Sequence, residues 1–236
     1  MQRQEVDQFG FTIIPGVYNN SEIENLTGEI EASNSTNSTF RKSNDLFAIR
    51  QVLKEIPKLI PTIFTKKLTA TVNRLFGDNY FVVKSIYFDK PGASNWFVAY
   101  HQDLTISVSE RHEIPGFGSW TVKQGQYAVQ PPLDFLEYNF TVRIHLDDTN
   151  KANGALRVIP GSHKKGIYRP ESIDWSRETE QICNVPKGGI MVMRPLLLHA
   201  SSRSTDDRRR RVIHIEFATR ELPPPLKWSE RIFQEQ

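Results

Sequence analysis

The sequence predicts a mainly β domain with flanking helices, a jelly roll buttressed on its N-terminal side. Three observations carry this. Helical periodicity is confined to roughly the first third of the chain. From Tyr80 onward the apolar residues gather in short runs rich in β-branched and aromatic side chains, separated by Gly and Pro turns. The length of 236 residues suits one domain, 1–236, with a substantial core. Helices first and short strands afterwards is the order of a helix-covered sandwich.

In chain order, Asn20–Leu26 reads as a helix start, with Ser21 as cap and acidic residues following it, where the helix dipole favours them. Helical periodicity recurs through Leu46–Ile60 and Thr62–Phe76, and Gly77 follows as a C-cap. Strands are predicted over Tyr80–Phe88, Tyr138–Leu146, Ala155–Ile159, Gly189–Met193 and Val212–Phe217. Residues 108–132, carrying Phe117 and Trp120, read as an ordered lid insertion, because long loops in compact domains are seldom idle and aromatics argue against disorder.

Composition excludes several classes. Hydrophobic content of 38% and charged content of 24% fit a globular protein, and the net charge of +3 is not gathered into one basic stripe. Arg208–Arg211 is the one basic run, without the flanking basic and aromatic pattern of a nucleic-acid surface. No apolar run approaches the ~18 residues that cross a bilayer, and Met1–Glu5 lacks a secretory core. The single Cys183 excludes an internal disulfide, so a cytoplasmic protein is expected. Asn34 and Asn37 match glycosylation sequons but read as a polar loop, Ser33–Ser38. Oligomeric state is not legible.

Among the six histidines, His101-Gln102-Asp103 stands out. Side chains two apart on a strand point to one side, so His101 and Asp103 can grip one metal while Gln102 faces away. With a second histidine from a distant strand, two imidazoles and a carboxylate would occupy one face of an octahedral ion. Three positions then stay open, as a non-haem Fe(II) oxygenase requires. The absence of thiolate disfavours structural zinc, although a catalytic zinc site remains chemically possible. His112 reads as a loop residue, His163 as a turn residue, His214 as a packing or hydrogen-bonding residue, and His145 as a candidate for the pocket wall.

Matching motifs then run in order along the chain: Phe9–Val17, Phe88-Asp89-Lys90-Pro91, Tyr100–Asp103, Leu146-Asp147-Asp148, Asn153–His163 and Arg194–Ser202, followed by the Arg-rich strand to Phe217. In these the chain resembles the phytanoyl-CoA dioxygenase family of Fe(II)- and 2-oxoglutarate-dependent oxygenases. The resemblance implies a cupin-like double-stranded β-helix. It also implies a metal triad of His101, Asp103 and His199, with Fe(II), 2-oxoglutarate and O2 as cofactor and cosubstrates. The reaction implied is hydroxylation of an unactivated C–H bond of a small molecule, with release of succinate and CO2. Because Asp103 is present, halogenation is disfavoured.

The resemblance places the arginine for the remote carboxylate of 2-oxoglutarate at Arg210, with Arg211 next, since the alternating set Arg211, Ile213, Ile215, Phe217 also suits a core face. A planar guanidinium pairs bidentately with carboxylate. Ser201, Lys84 and Arg50 are further candidates for the cosubstrate pocket. On the substrate side stand Arg143, Thr141 and Trp120. Arg143 occupies a position where relatives often carry tryptophan, and it points to an anionic or zwitterionic substrate unless Asp134 or Glu137 pairs it. Two rivals remain: a differently reacting cupin-type metal protein, such as an isomerase, and a non-catalytic sensor.

Overall fold

The computed structural model describes residues 1–33, 39–43, 47–123 and 125–232. The polar stretch beyond Ser33, with both sequon asparagines, lies outside them, as does Leu46. The helices are α1 (Gln2–Phe9), α2 (Asn20–Glu31), α3 (Val52–Glu55), α4 (Leu59–Ile63), α5 (Lys66–Phe76) and α6 (Leu133–Leu136). The strands are β1 (Phe11–Ile14), β2 (Phe40–Lys42), β3 (Phe47–Arg50), β4 (Phe81–Lys90), β5 (Val98–His101), β6 (Ile106–Val108) and β7 (Gly118–Lys123). They continue with β8 (Gln126–Gln130), β9 (Asn139–His145), β10 (Leu156–Val158), β11 (Gln181–Ile182), β12 (Ile190–Met193), β13 (His199–Ser201) and β14 (Arg210–Ala218).

The long central strands are buried on both faces, and their alternation separates two environments. Phe140, Val142 and Ile144 of β9 point with Ile213, Ile215 and Phe217 of β14 into a core shared with Leu26, Leu53, Leu68 and Val72 of the helices. Phe140 lies between Phe76 and Phe217, its ring stacked 3.8 Å and 5.0 Å from theirs. The intervening residues of β9 and β14, including Arg143, Arg210 and His214, face the other way. Strand order in the large sheet is β1-β12-β9-β14-β4-β3-β2, and in the smaller one β11-β10-β13-β5. Side chains from both sheets line one cavity. The predicted jelly roll with N-terminal helical buttress is borne out, with the helices covering the outer face of the large sheet.

Several local expectations are corrected. The cap of α2 is Asn19 rather than Ser21: its side chain accepts from the backbone N–H of Glu22 at 2.9 Å, and Glu22 returns the bond at 2.7 Å. Leu46–Ile60 is not one helix. Phe47–Arg50 joins the large sheet as a strand between β4 and β2, Gln51 at φ 52° ends it, and two short helices follow. A short apolar run is ambiguous by periodicity, and pairing with β4 decides it. α5 starts only at Lys66, where the Thr65 hydroxyl accepts from Leu68 N–H.

Residues 108–132, expected as an ordered lid insertion, carry β7 and β8. β6, β8 and β7 form a third, antiparallel sheet. Phe117 and Val129 pack with Phe81, Leu136, Leu196 and Trp228, and Trp120 lies against the same cluster. Neither Phe117 nor Trp120 lines the cavity between the two main sheets. Among the described residues, no helix is long and apolar enough to cross a membrane.

Candidate metal and cosubstrate site

β13 pairs antiparallel with β5 so that His199 falls directly opposite His101. This register brings two residues far apart in sequence to 4.2 Å between ring centroids. Asp103, just past β5, completes the group. Its two carboxylate oxygens lie 3.9 Å from the Nε2 atoms of His101 and His199 respectively, and the three candidate ligand atoms lie within 4.8 Å of one another.

Each imidazole is oriented from behind. His101 Nδ1 lies 2.9 Å from the Ala99 carbonyl and His199 Nδ1 2.8 Å from that of Leu197. A carbonyl only accepts, so Nδ1 carries the proton in both rings and Nε2 presents its lone pair to the shared point. Burial pushes the His199 pKa down to about 4, against the opposing pull of Asp103, so its lone pair is free at neutral pH. Burial alone would raise the Asp103 carboxyl, but the charges of His199 and Lys84 outweigh it and hold the group well below the usual carboxylate range. Asp103 Oδ2 is buried without a hydrogen-bond partner. An orphaned carboxylate oxygen between two imidazole lone pairs fits a divalent metal, and the donor set with no thiolate suits iron.

Gln102 is the staple between the two ligands of the His-x-Asp pair. Its amide donates to the carbonyls of Gly166 and Leu196 at 2.9 and 2.6 Å, and its oxygen accepts from Tyr168 N–H at 2.8 Å. Asp103 N–H also donates to the Pro195 carbonyl at 2.9 Å. The segment leading to His199 is thereby tied to the strand bearing the other two ligands.

The cavity, about 150 Å³, is lined by His101, Asp103 and His199 together with Lys84, Arg143, Ser201, Arg210 and His214 among polar residues. In the run Arg208–Arg211, three arginines turn outward onto carboxylates: Arg208 to Asp206, Arg209 to Asp89 and Arg211 to Asp147. Arg210 alone turns inward. It is 3% exposed, and its Nε and Nη1 have no hydrogen-bond partner. Burial pushes its pKa down to about 9, with Arg143 adding to the effect. Ser201 also faces the cavity, but its hydroxyl donates to the Gly154 carbonyl at 3.1 Å. Gly154 sits at φ +81°, where a Cβ would lie 2.7 Å from both Lys90 Nζ and Ser202 O, so this turn requires glycine.

The remaining candidates separate. Lys84 lines the cavity and pairs with Glu216 at 2.6 Å. Arg50, at the end of β3, lies outside the lining but acts on Lys84 electrostatically. Thr141 is buried on the inward face of β9, outside the lining, and Trp120 belongs to the third sheet. Arg143 meets neither Asp134, which pairs with Arg220, nor Glu137. Its Nη1 donates to His214 Nδ1 at 2.9 Å. His145, a candidate for the wall, is buried with Nδ1 2.7 Å from the Thr149 hydroxyl and lies outside the lining. His214 and Glu216 were legible only as a hydrogen-bonding strand, and Trp96 gave no signal before the fold placed it on the wall.

Comparison with known proteins agrees with this fold. Ectoine dioxygenase of Bordetella parapertussis is 23% identical over 174 residues, covering 70% of this chain and 50% of that protein; the chain thus spans about half the length of the curated relatives it matches. EctD from S. alaskensis, solved with bound Fe, superposes with a TM-score of 0.71 at 17% identity, over 95% of this chain and 78% of that one. The same protein with 2-oxoglutarate and 5-hydroxyectoine gives 0.69 at 18%, over 92% and 74%. HygX from Streptomyces hygroscopicus, with nickel and 2-oxoglutarate bound, gives 0.66 at 16%, over 97% and 89%. These likenesses show a shared fold. Residues 6–212 match the phytanoyl-CoA dioxygenase (PhyH) family over most of the chain, and the protein belongs to that family.

Proposed function

We propose that this protein is an Fe(II)- and 2-oxoglutarate-dependent dioxygenase that hydroxylates an unactivated C–H bond of a small anionic or zwitterionic metabolite. The observation that carries this reading is one cavity lined by both a triad carboxylate with a buried oxygen lacking a hydrogen-bond partner, Asp103, and a buried guanidinium with two such nitrogens, Arg210. A buried charge without a partner is costly, and the two together match a metal at one end and a ligand carboxylate at the other.

In this reading His101, Asp103 and His199 hold the metal and leave part of its coordination sphere open. Iron, when bound, would supply activation of dioxygen coupled to decarboxylation of 2-oxoglutarate to succinate and CO2. Arg210 holds the remote carboxylate, while the Ser201 hydroxyl, engaged with Gly154, shapes the wall beside it. Ile86, Phe88, Val98 and Leu156 exclude water from the reacting end. Arg143 supports the anionic character of the substrate. The buried lone thiol of Cys183 is consistent with a cytoplasmic setting.

The test is succinate formation from 2-oxoglutarate, measured with iron and oxygen against small carboxylates and zwitterions, with ectoine included because of the relatives named above. Substrate-dependent succinate together with a product 16 Da heavier is expected. Isomerised product without succinate, or metal binding without 2-oxoglutarate turnover under any condition, would support the rival readings instead.

A further inference from the structure

Beyond the candidate metal ligands and Arg210, the cavity is bordered by a chain of polar side chains in which Arg143, His214 and Lys84 line it and Glu216 lies behind them. Arg143 Nη1 donates to His214 Nδ1 at 2.9 Å. Since Arg143 can only donate, Nδ1 is the acceptor and His214 carries its proton on Nε2. That nitrogen lies 3.1 Å from Glu216 Oε1, which also accepts from Lys84 Nζ at 2.6 Å. The members come from β9, β14 and β4, whose registers set His214 opposite Arg143 and Glu216 opposite Lys84. Three strands therefore hold the guanidinium in one orientation, while its Nε remains buried without a partner.

Charge decides what this guanidinium faces. Lys84 and Glu216 offset each other. Arg143, Arg210 and Asp103 then leave one net positive charge. A divalent metal and doubly charged 2-oxoglutarate cancel, and that single positive charge remains. The rest of the cavity lining is apolar, formed by Ile86, Phe88, Trp96, Val98, Leu156 and Ala200. A lone buried cation in such a setting requires one anionic partner.

We propose that Arg143, oriented by His214, Glu216 and Lys84, is the anchor for a single carboxylate on a substrate with a compact hydrocarbon body. His214 and Glu216 are positioning residues: they touch Arg143 or its support rather than the reacting atoms. The inference rests on the dioxygenase reading above and names the substrate class for it.

The test uses nickel-loaded protein, which does not turn over, saturated with 2-oxoglutarate, and calorimetric titration with pentanoate, pentanamide and glutarate. The wild-type protein should bind pentanoate about 10- to 100-fold more tightly than the neutral amide, the range of a charge-assisted bond. Glutarate, with its extra charge, should bind more weakly than pentanoate. Arg143→Met should remove the preference for carboxylate over amide and leave 2-oxoglutarate affinity within about threefold, and Arg143→Lys should retain part of the preference. His214→Gln, which can still accept from Arg143 and donate to Glu216, should keep it, whereas His214→Leu should lose it. Equal binding of pentanoate and pentanamide by the wild type overturns the inference. So does an Arg143→Met protein that loses 2-oxoglutarate as Arg210→Met does, since Arg143 would then belong to the cosubstrate. Failure of the wild type to bind 2-oxoglutarate at all overturns the dioxygenase reading as well, which separates the two failures.

Discussion

Replacing Arg210 by methionine should move ligand affinity and fold stability in opposite directions. The side chain is 3% exposed, and two of its nitrogens are unpartnered. Its pKa is pushed down to about 9 by burial and by Arg143, so without ligand the charged form is held at a cost. Methionine has a similar reach, fills the space and brings no charge. Replacing uncompensated buried charge with apolar volume should stabilise the metal-free protein by about 1–2 kcal/mol, or about 2–8 °C in Tm for a chain of this length. Affinity for 2-oxoglutarate should fall. Two N–H bonds to a carboxylate at about 1.5–3 kcal/mol each, discounted for their shared geometry, give a loss of about 2–4 kcal/mol. That is about a 30- to 1000-fold rise in Kd. Calorimetry on the nickel-loaded protein and urea denaturation of the metal-free protein measure the two quantities. Arg211→Met is the control, because Arg211 is paired with Asp147 at the partly exposed edge and should change affinity little. A shift in Kd below about threefold, or loss of binding in Arg211→Met instead, would refute the assignment.

Three further outcomes follow from the same geometry. Alanine at His101, Asp103 or His199 should each weaken metal binding, measured by competition with a chelator, by more than the ~10- to 100-fold that loss of an outer-shell partner causes; retention of wild-type affinity removes that residue from the ligand set. Phe140→Ala should cost about 3–5 kcal/mol, about 6–20 °C in Tm, because the ring is stacked between Phe76 and Phe217; a melting point within 2 °C or so of wild type contradicts the packing. The metal-free protein should lose stability as pH falls through the window from 6.5 to about 4. His199 is held neutral in the fold down to about 4 by burial, while in the unfolded chain it takes up a proton near 6.5, so the unfolded state binds more protons across that window. His145 and His214, also lowered by burial, act with the same sign. His199 contributes at most about 3.5 kcal/mol at about 1.4 kcal/mol per pH unit; His199→Leu should flatten the urea-midpoint profile over pH 4–6.5, and an unchanged slope contradicts the assignment.

What the sequence by itself determined is what depends on local spacing and ordered motifs. The period-two placement of His101 and Asp103, the apolar alternation of β9 and β14, and the glycine in Asn153-Gly154 each encode a constraint within a few residues. Family, fold class and the jelly-roll order were legible for that reason. Tertiary structure alone decided which side of a strand faces which partner. Arg210 and Arg211 are indistinguishable in sequence, and only the pairing of Arg211 with Asp147 and of Arg209 with Asp89 leaves Arg210 turned inward. Phe47–Arg50 became a strand because β4 offered an edge to pair with, and Trp120 packs against the apolar cluster around Trp228 rather than on the cavity wall. The chain Arg143–His214–Glu216–Lys84 is assembled from three strands, so no window of sequence contains it. Burial and cross-strand register act between residues far apart in the chain, and these were the quantities only the folded structure could supply.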